Sequence, residues 1–175
     1  RPPRSTLFPY TTLFRSQVGD GDIDHAYWNS PEIDDMDRPA FFLTGDKPQT
    51  DYVVSAAASL AVNYLNFKDT DPDYAAKSLD YAKALFSFAQ NHEKQLSDNA
   101  DGPKGYYRSE KWQDDYVWAA AWLYIATEDK SYLTDAMPYV DYYAPSGWAY
   151  CWNDVWSGAL TLYGEIGRAH PGRSE

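Results

Sequence analysis

The sequence of 175 residues predicts an all-α fold. Apolar residues recur at helical spacing in several separate segments, and the pair Asp71-Pro72 is a typical start of a helix. A third observation is negative, because no run of alternating Val, Ile or Thr indicates a β-strand. Helices packed on helices are therefore the expected architecture.

Five helices are expected from these patterns. In the second of them Asp71 is the expected N-cap and Pro72 the first helical residue. This helix carries two apolar stripes, which indicates that it is covered on two sides. The segment 17–48 lacks a sustained period and is predicted to be a long ordered loop. The helices are predicted over residues 51–67, 71–91, 114–127, 130–140 and 153–164.

Composition excludes several classes of partner. The net charge of −11 disfavours binding to a nucleic-acid phosphate backbone. No stretch of about 18 apolar residues is present, so no membrane span is expected. The aromatic content of 17% is high, and Trp and Tyr suit surfaces that contact both apolar faces and water. These rings predict either a sugar-stacking surface or a densely packed helical core.

The two ends of the chain differ from the rest. Residues 1–16 and 165–175 resemble the translated sequence of DNA-sequencing adapters. A signal peptide needs a continuous apolar core, and Pro9, Thr11 and Thr12 interrupt the apolar run at the N-terminal end. We therefore predict that both ends are artefacts and that residues 17–164 are the biological domain.

Three motifs resemble glycoside hydrolase family 9, the inverting cellulases. The first is QVGDGDIDHAYW at residues 17–28, followed by Pro31-Glu32 and Arg38-Pro39. The second joins GYYRS at 105–109 to DDYVWAAAWLYIAT at 114–127, and the third is CWND at 151–154. The alanine-rich segment SAAASLA at 55–61 adds to the likeness. The resemblance implies an incomplete (α/α)6 barrel, with about five of the family's twelve helices.

The resemblance implies four substrate-binding residues. His25 is expected to bond a sugar hydroxyl and Trp28 to stack on a sugar ring. Tyr106 and Trp152 match further positions that contact sugar. The family often has a second aromatic residue where this chain has Ser109 or Glu110, and Trp112 is a candidate replacement.

The resemblance also implies a calcium site. Asp114 and Asp115 match an acidic pair that binds structural calcium in some family members. A hard cation needs several oxygen ligands, which nearby loop carbonyls can supply. The alternative is that two acids in the first turn of a helix interact favourably with the helix dipole. No organic cofactor is expected.

No catalytic residue is assigned to this chain. The resemblance places the general base, an aspartate pair, before this segment and the acid glutamate after it. The run Gly19-Asp20-Gly21-Asp22 is similar to the base motif but stands in another loop, so Asp20, Asp22 and Asp24 are expected to bond backbone amides.

The leading hypothesis is therefore an internal fragment of an extracellular endo-1,4-β-glucanase that acts on cellulose. The fragment alone is expected to be inactive and poorly stable. Two alternatives stay open: another (α/α)-barrel sugar enzyme, such as an epimerase, and a non-catalytic helical scaffold or carbohydrate-binding protein. Endo or exo action and the glucan preferred are not decided by the sequence.

Overall fold

The structure is a computed structural model that describes residues 14–92, 94–96, 105–141 and 149–169. Within these residues all five predicted helices are present, which confirms the all-α prediction. Short 3-10 turns occur at Pro31–Ile33 and Met137–Tyr139. In chain order the elements are β1 (Phe14–Val18), α1 (Gly21–Ala26), β2 (Ala40–Leu43), α2 (Thr50–Phe67), α3 (Pro72–Asn91), α4 (Gln113–Thr127), α5 (Ser131–Ala136) and α6 (Trp156–Ala169).

The segment 17–48 is more ordered than the prediction of a loop. It contains α1 and part of an antiparallel pair, in which β1 and β2 are joined across a bulge between Arg15 and Gln17. Strands of four and five residues are too short to show an alternating apolar pattern, and the residues that pair lie more than twenty positions apart in sequence. The sequence pattern therefore did not predict them. Asp20 caps α1 by accepting hydrogen bonds from the amides of Asp22 and Ile23, so its expected role in bonding backbone amides is confirmed.

The long helices form a row with flanking helices. Helix α4 lies between α2 and α6, while α3 packs mainly on α2, and α5 packs on α4. Helix α4 is buried around most of its circumference, because Val117, Ala119, Ala120, Ala121 and Leu123 are all fully inaccessible. A helix that is apolar on all sides belongs inside a layered protein. Helix α3 is buried along one side only, where Phe86 contacts the rings of Tyr116 and Tyr132, while Tyr74 is 49% exposed, so the expected cover on two sides is not observed for this helix.

Small residues set the distance between α6 and α4. A Cβ added at Gly158 comes within 2.6 Å of the Trp118 ring and 3.0 Å of the Tyr150 ring. The Trp118 ring also packs edge to face against Trp122, so a Cβ at this position would displace a packed ring. Gly158 therefore permits the close approach of the two helices.

Three helix boundaries differ from the prediction. Helix α5 ends at Ala136, before the predicted end at residue 140, and the 3-10 turn Met137–Tyr139 follows it. Helix α6 begins at Trp156 instead of residue 153, because residues 151–154 form a tight turn in which Cys151 and Asp154 exchange backbone hydrogen bonds. The same helix continues to Ala169, beyond the predicted end at residue 164, and β1 begins before residue 17. The domain limits at residues 17 and 164 stay predictions. The sequence also predicts a turn at 145–147 and a polar loop at 96–105; the turn and most of the loop lie outside the described residues.

The N-cap of α3 provides a test of the local structure. Asp71 accepts a hydrogen bond from the amide of Tyr74 at 3.2 Å, as predicted for a capping residue. We expect Asp71→Ala to lower the free energy of unfolding by about 1 kcal/mol, measured by urea denaturation. Asp69→Ala, in the exposed turn before the cap, is the matched control and should change stability much less. Equal effects of the two substitutions would contradict the capping role.

Candidate functional site

A cleft of about 480 Å³ opens at the N-terminal ends of the row of helices. Side chains from the first turns of α2 and α4 reach it, and Val155 lies directly before α6. The three helices thus begin at the same end of the row, so their N-terminal ends point towards one opening. The loop that precedes α4 and the 151–154 turn form its walls. The lining residues are Asp51, Tyr52, Ser55, Tyr107, Ser109, Asp115, Tyr150, Cys151, Trp152 and Val155.

The walls of the cleft are aromatic. Tyr107 and Trp152 meet edge to face, with ring centroids 5.8 Å apart and an interplanar angle of 86°. Both rings remain more than half exposed, at 56% for Tyr107 and 66% for Trp152. Tyr150 is also exposed and leans on Trp118 of α4. Exposed rings fixed by ring contacts form a ready surface for an apolar face of a ligand.

The floor of the cleft carries two buried carboxyl groups, Asp51 of α2 and Asp115 of α4. Asp115 accepts a hydrogen bond of 2.7 Å from the hydroxyl of Ser55. Burial raises the pKa of Asp115 to about 8, and the charges of Asp114 and Asp51 add to that rise, while the bond from Ser55 opposes it. At neutral pH this carboxyl is therefore mostly protonated and can donate as well as accept a hydrogen bond.

Asp114 points to a different part of the structure. One of its oxygens accepts a hydrogen bond of 2.9 Å from the amide of Val155, which joins α4 to the start of α6. The other oxygen, Oδ1, is buried and has no hydrogen-bond partner among the described residues. Burial raises the pKa of Asp114, opposed by the bond from Val155 and by the charge of Lys111.

Two further contacts join the loop before α4 to the 151–154 turn. The Lys111 ammonium lies 2.8 Å from the Asp154 carboxylate. The amide of Glu110 donates to the Asn153 side chain at 2.9 Å, and the Asn153 amide group donates back to the Glu110 carboxylate at 3.3 Å. Burial lowers the pKa of Lys111, but the bond to Asp154 and the nearby carboxylates outweigh it, and the net pKa is raised.

The structure brings three of the four predicted substrate-binding residues into one aromatic series. His25 stacks on Tyr106 with centroids 3.6 Å apart and nearly parallel planes. Tyr107, which contacts Trp152, also lies 6.5 Å from the His25 ring. The Nδ1 atom of His25 bonds the carbonyl of Gly21 at 2.7 Å, which fixes the ring on α1. His25, Tyr106 and Trp152 are thus connected through Tyr107.

Trp28, the fourth predicted substrate-binding residue, stands apart from this series. Its side chain is 96% exposed at the end of α1. The nearby loop is held by a hydrogen bond from Tyr27 to Asp35 and by the ion pair between Arg38 and Asp24. The structure therefore fixes the backbone that carries Trp28 and leaves the indole open to solvent.

Trp112, the candidate replacement for the family's second aromatic residue, is not among the residues that line the cleft. Its ring packs into the core against Tyr116 and Tyr139, with centroids 6.0 and 5.0 Å away. Sequence reasoning missed Tyr107 and Tyr150, which do line the cleft. The doublet Tyr106-Tyr107 was visible in the sequence, but which ring faces the cleft depends on the fold of the loop. The sequence holds one cysteine, Cys151, which is predicted to be a small buried residue; the structure places it half-buried in the cleft wall.

The acidic pair at the start of α4 was predicted to bind calcium. Asp114 is bonded to the turn before α6 and Asp115 to Ser55 of α2, so the hydrogen bonds of the two carboxyl groups lead to different elements. Among the residues that the structure describes, no group of three or more His, Cys, Asp or Glu side chains is placed to hold a metal ion. The arrangement is a poor fit to an oxygen-rich calcium site, and calcium at this pair stays a prediction.

Comparison with known proteins assigns the family. The model of glycosyl hydrolase family 9 matches residues 8–173, and the chain belongs to this family. This confirms the resemblance carried by the three motifs. The solved structures that it resembles are (α/α)6 barrels, so the row α2, α4 and α6 with flanking α3 and α5 is part of such a barrel.

Individual relatives support the assignment. Endoglucanase 4 of Bacillus sp. (strain KSM-522) is 37% identical over 152 residues, which cover 85% of this chain and 23% of that protein. The catalytic domain of CelT from Clostridium thermocellum has 60% identity and a TM-score of 0.88, over 93% of this chain and 33% of that domain. The cellulase Cel9M of C. cellulolyticum, in complex with cellobiose, has 32% identity and a TM-score of 0.81, over 91% of this chain and 38% of that one.

The chain thus spans between about a quarter and two fifths of these relatives. None of the described helices is long and apolar enough to cross a membrane.

The raised pKa of Asp115 predicts a pH dependence of stability. Between the unfolded pKa near 4 and the folded pKa of about 8, the unfolded state releases a proton that the folded state keeps. This group therefore lowers the free energy of unfolding by about 1.4 kcal/mol for each pH unit of increase within that window.

We expect Asp115→Asn, which keeps an acceptor for Ser55, to remove this slope. The variant should gain thermal midpoint relative to the unsubstituted chain as pH rises from about 5 to about 8. Asp73→Asn in the exposed first turn of α3 is the control. Parallel pH profiles for the chain and Asp115→Asn would show that Asp115 ionises normally.

Proposed function

We propose that this chain forms part of the substrate cleft of an endo-1,4-β-glucanase that hydrolyses cellulose with inversion. The observation that carries the proposal is the cleft with the Tyr107–Trp152 pair in its wall and the Asp51 and Asp115 carboxyls on its floor. The names of the relatives, endoglucanases and a cellulase in complex with cellobiose, support the same substrate class.

The chemistry of the cleft suits a β-1,4-glucan. Each glucose ring in such a chain has apolar C–H faces and a rim of equatorial hydroxyls. An exposed aromatic plane covers the face, while carboxyl and hydroxyl groups bond the rim. Tyr107 and Trp152 stand perpendicular, so one ring can stack on a sugar face while the other meets the edge of the same or the next sugar.

The substrate contacts extend from the cleft along the aromatic series. We propose that Trp152 and Tyr107 bind one portion of the glucan and that Tyr106 and His25 bind the next. Stacking on Tyr106 and the bond to Gly21 hold the His25 ring in one orientation, with Nε2 available for a sugar hydroxyl. Trp28 is proposed as an outer platform, because its indole is almost entirely exposed.

Hydrolysis with inversion requires a carboxylic acid that protonates the leaving oxygen and a carboxylate that activates water. We propose that both belong to other parts of the family's catalytic domain. We assign the floor carboxyl Asp115 a sugar-contacting role instead, because it lines the cleft beside Ser55. A carboxyl group with a raised pKa is also a candidate general acid, so a catalytic role of Asp115 has to be tested directly. Action outside the cell follows from the proposed insoluble substrate.

We expect Trp152→Ala and Tyr107→Ala each to weaken the binding of cellotetraose to this chain about tenfold, or about 1.4 kcal/mol, by calorimetry. The physical reason is the loss of an aromatic plane from the cleft. Phe67→Ala is the matched control, since Phe67 is an exposed aromatic residue at the other end of α2, roughly 24 Å from the cleft.

Maltotetraose, which has the same sugars in α-linkage, should bind more weakly than cellotetraose. Equal binding of both sugars, or an equal loss in the Phe67→Ala variant, would contradict a β-glucan cleft. Tight binding to an unrelated sugar would favour another (α/α)-barrel enzyme.

The chain by itself should release no reducing sugar from carboxymethyl cellulose. Release that disappears on heating and in Asp115→Asn would contradict this expectation and make Asp115 a catalytic residue. Release that persists in Asp115→Asn would place catalysis on another carboxylate of this chain.

A further inference from the structure

Two separate pieces of chain carry the aromatic wall of the cleft. Tyr107 belongs to the loop that leads into α4, and Trp152 is at the tip of the 151–154 turn that leads into α6. Their mutual geometry therefore depends on what joins the loop to the turn. Three contacts do so among the described residues: the paired bonds between Glu110 and Asn153, the bond from Val155 to Asp114, and the ion pair between Lys111 and Asp154.

The junction is rich in negative charge. Asp114, Glu110 and Asp154 all act electrostatically on Lys111, and the Asp114 carboxyl is almost completely buried. Carboxylates gathered at a partly buried point repel one another unless a cation lies among them. Lys111 is the residue whose ammonium is bonded there, 2.8 Å from the Asp154 oxygen and about one third exposed.

Asp154 extends this contact to both ends of the turn. Its Oδ2 atom meets Lys111, while its Oδ1 atom accepts a hydrogen bond of 3.1 Å from the amide of Trp156. Its backbone exchanges two hydrogen bonds with Cys151, which close the turn around Trp152. An ammonium held by Asp154 is thus connected directly to the backbone that presents the indole.

We propose that Lys111 is the positioning residue that fixes Trp152 against Tyr107, and that its ammonium supplies the positive charge that the family resemblance implies for calcium. The proposal deepens the proposed function, since a glucan is the ligand that the aligned rings would bind. The proposal concerns a residue of this chain, and the position of the Trp152 ring can be measured without a bound sugar.

The first experiment needs no variant. The thermal midpoint of the chain is measured with a chelator and then with calcium at about 10 mM, a concentration above the Kd of weak extracellular calcium sites. We expect no change in midpoint, because Lys111 already neutralises the junction. A rise of several degrees on addition of calcium would overturn the proposal and support the metal at Asp114 and Asp115.

The second experiment follows the ring of Trp152 by fluorine NMR in a chain labelled with fluorotryptophan, its resonance assigned from Trp152→Phe. Lys111→Met, which keeps most of the side chain but removes its charge, should shift or broaden the Trp152 resonance and weaken cellotetraose binding about fivefold. Lys111→Arg keeps the charge and should restore both. A Trp152 resonance and an affinity unchanged in Lys111→Met would overturn the proposal.

A further variant covers the case in which Lys111→Met does not fold. Asp154→Asn retains the acceptor for the Trp156 amide and removes the charge that Lys111 meets, so the same shift of the Trp152 resonance is expected. An unchanged resonance in Asp154→Asn would again overturn the proposal. Failure of the unsubstituted chain to bind cellotetraose would contradict the proposed function alone, because the calcium and NMR measurements do not depend on sugar.

Discussion

The burial of α4 is the constraint on which the rest of the structure depends. Its residues Ala119, Ala120 and Leu123 are fully inaccessible, so the helix has to be covered by α2 on one side and α6 on the other. Small side chains make this possible, since alanines on α4 and Gly158 on α6 let neighbouring helices approach closely. Once the three helices are packed side by side, their N-terminal ends meet at one opening. The cleft is a consequence of that alignment.

The two carboxyl groups in the first turn of α4 join this helix to its neighbours at the cleft. Adjacent acids on a helix point in different directions, and here Asp115 bonds α2 while Asp114 bonds the backbone before α6. Each carboxyl group therefore joins α4 to one neighbour and is buried by doing so. The pKa of Asp115 rises because this junction excludes water. The same burial therefore gives the cleft a polar floor and lowers the free energy of unfolding as the pH rises.

The aromatic wall shows how loops depend on this scaffold. Tyr107 and Trp152 are far apart in sequence and belong to loops without a regular period. They meet because the loop before α4 and the turn before α6 are joined by backbone, amide and charged groups, with Lys111 and Asp154 among them. Exposed rings take their orientation from contacts that are themselves only partly buried, so we expect this wall to open locally more easily than the core.

The sequence by itself determined the fold class, the five main helices, the Asp71 cap and the family, because periodic burial and capping are local and the motifs are contiguous. It also indicated His25, Tyr106 and Trp152, whose ring series the structure assembles. Only the tertiary structure decided that Tyr107 faces the cleft, that Trp112 belongs to the core, and that the acidic pair serves two different elements. These outcomes depend on which loop residues meet across helices distant in sequence, and no local pattern encodes such contacts.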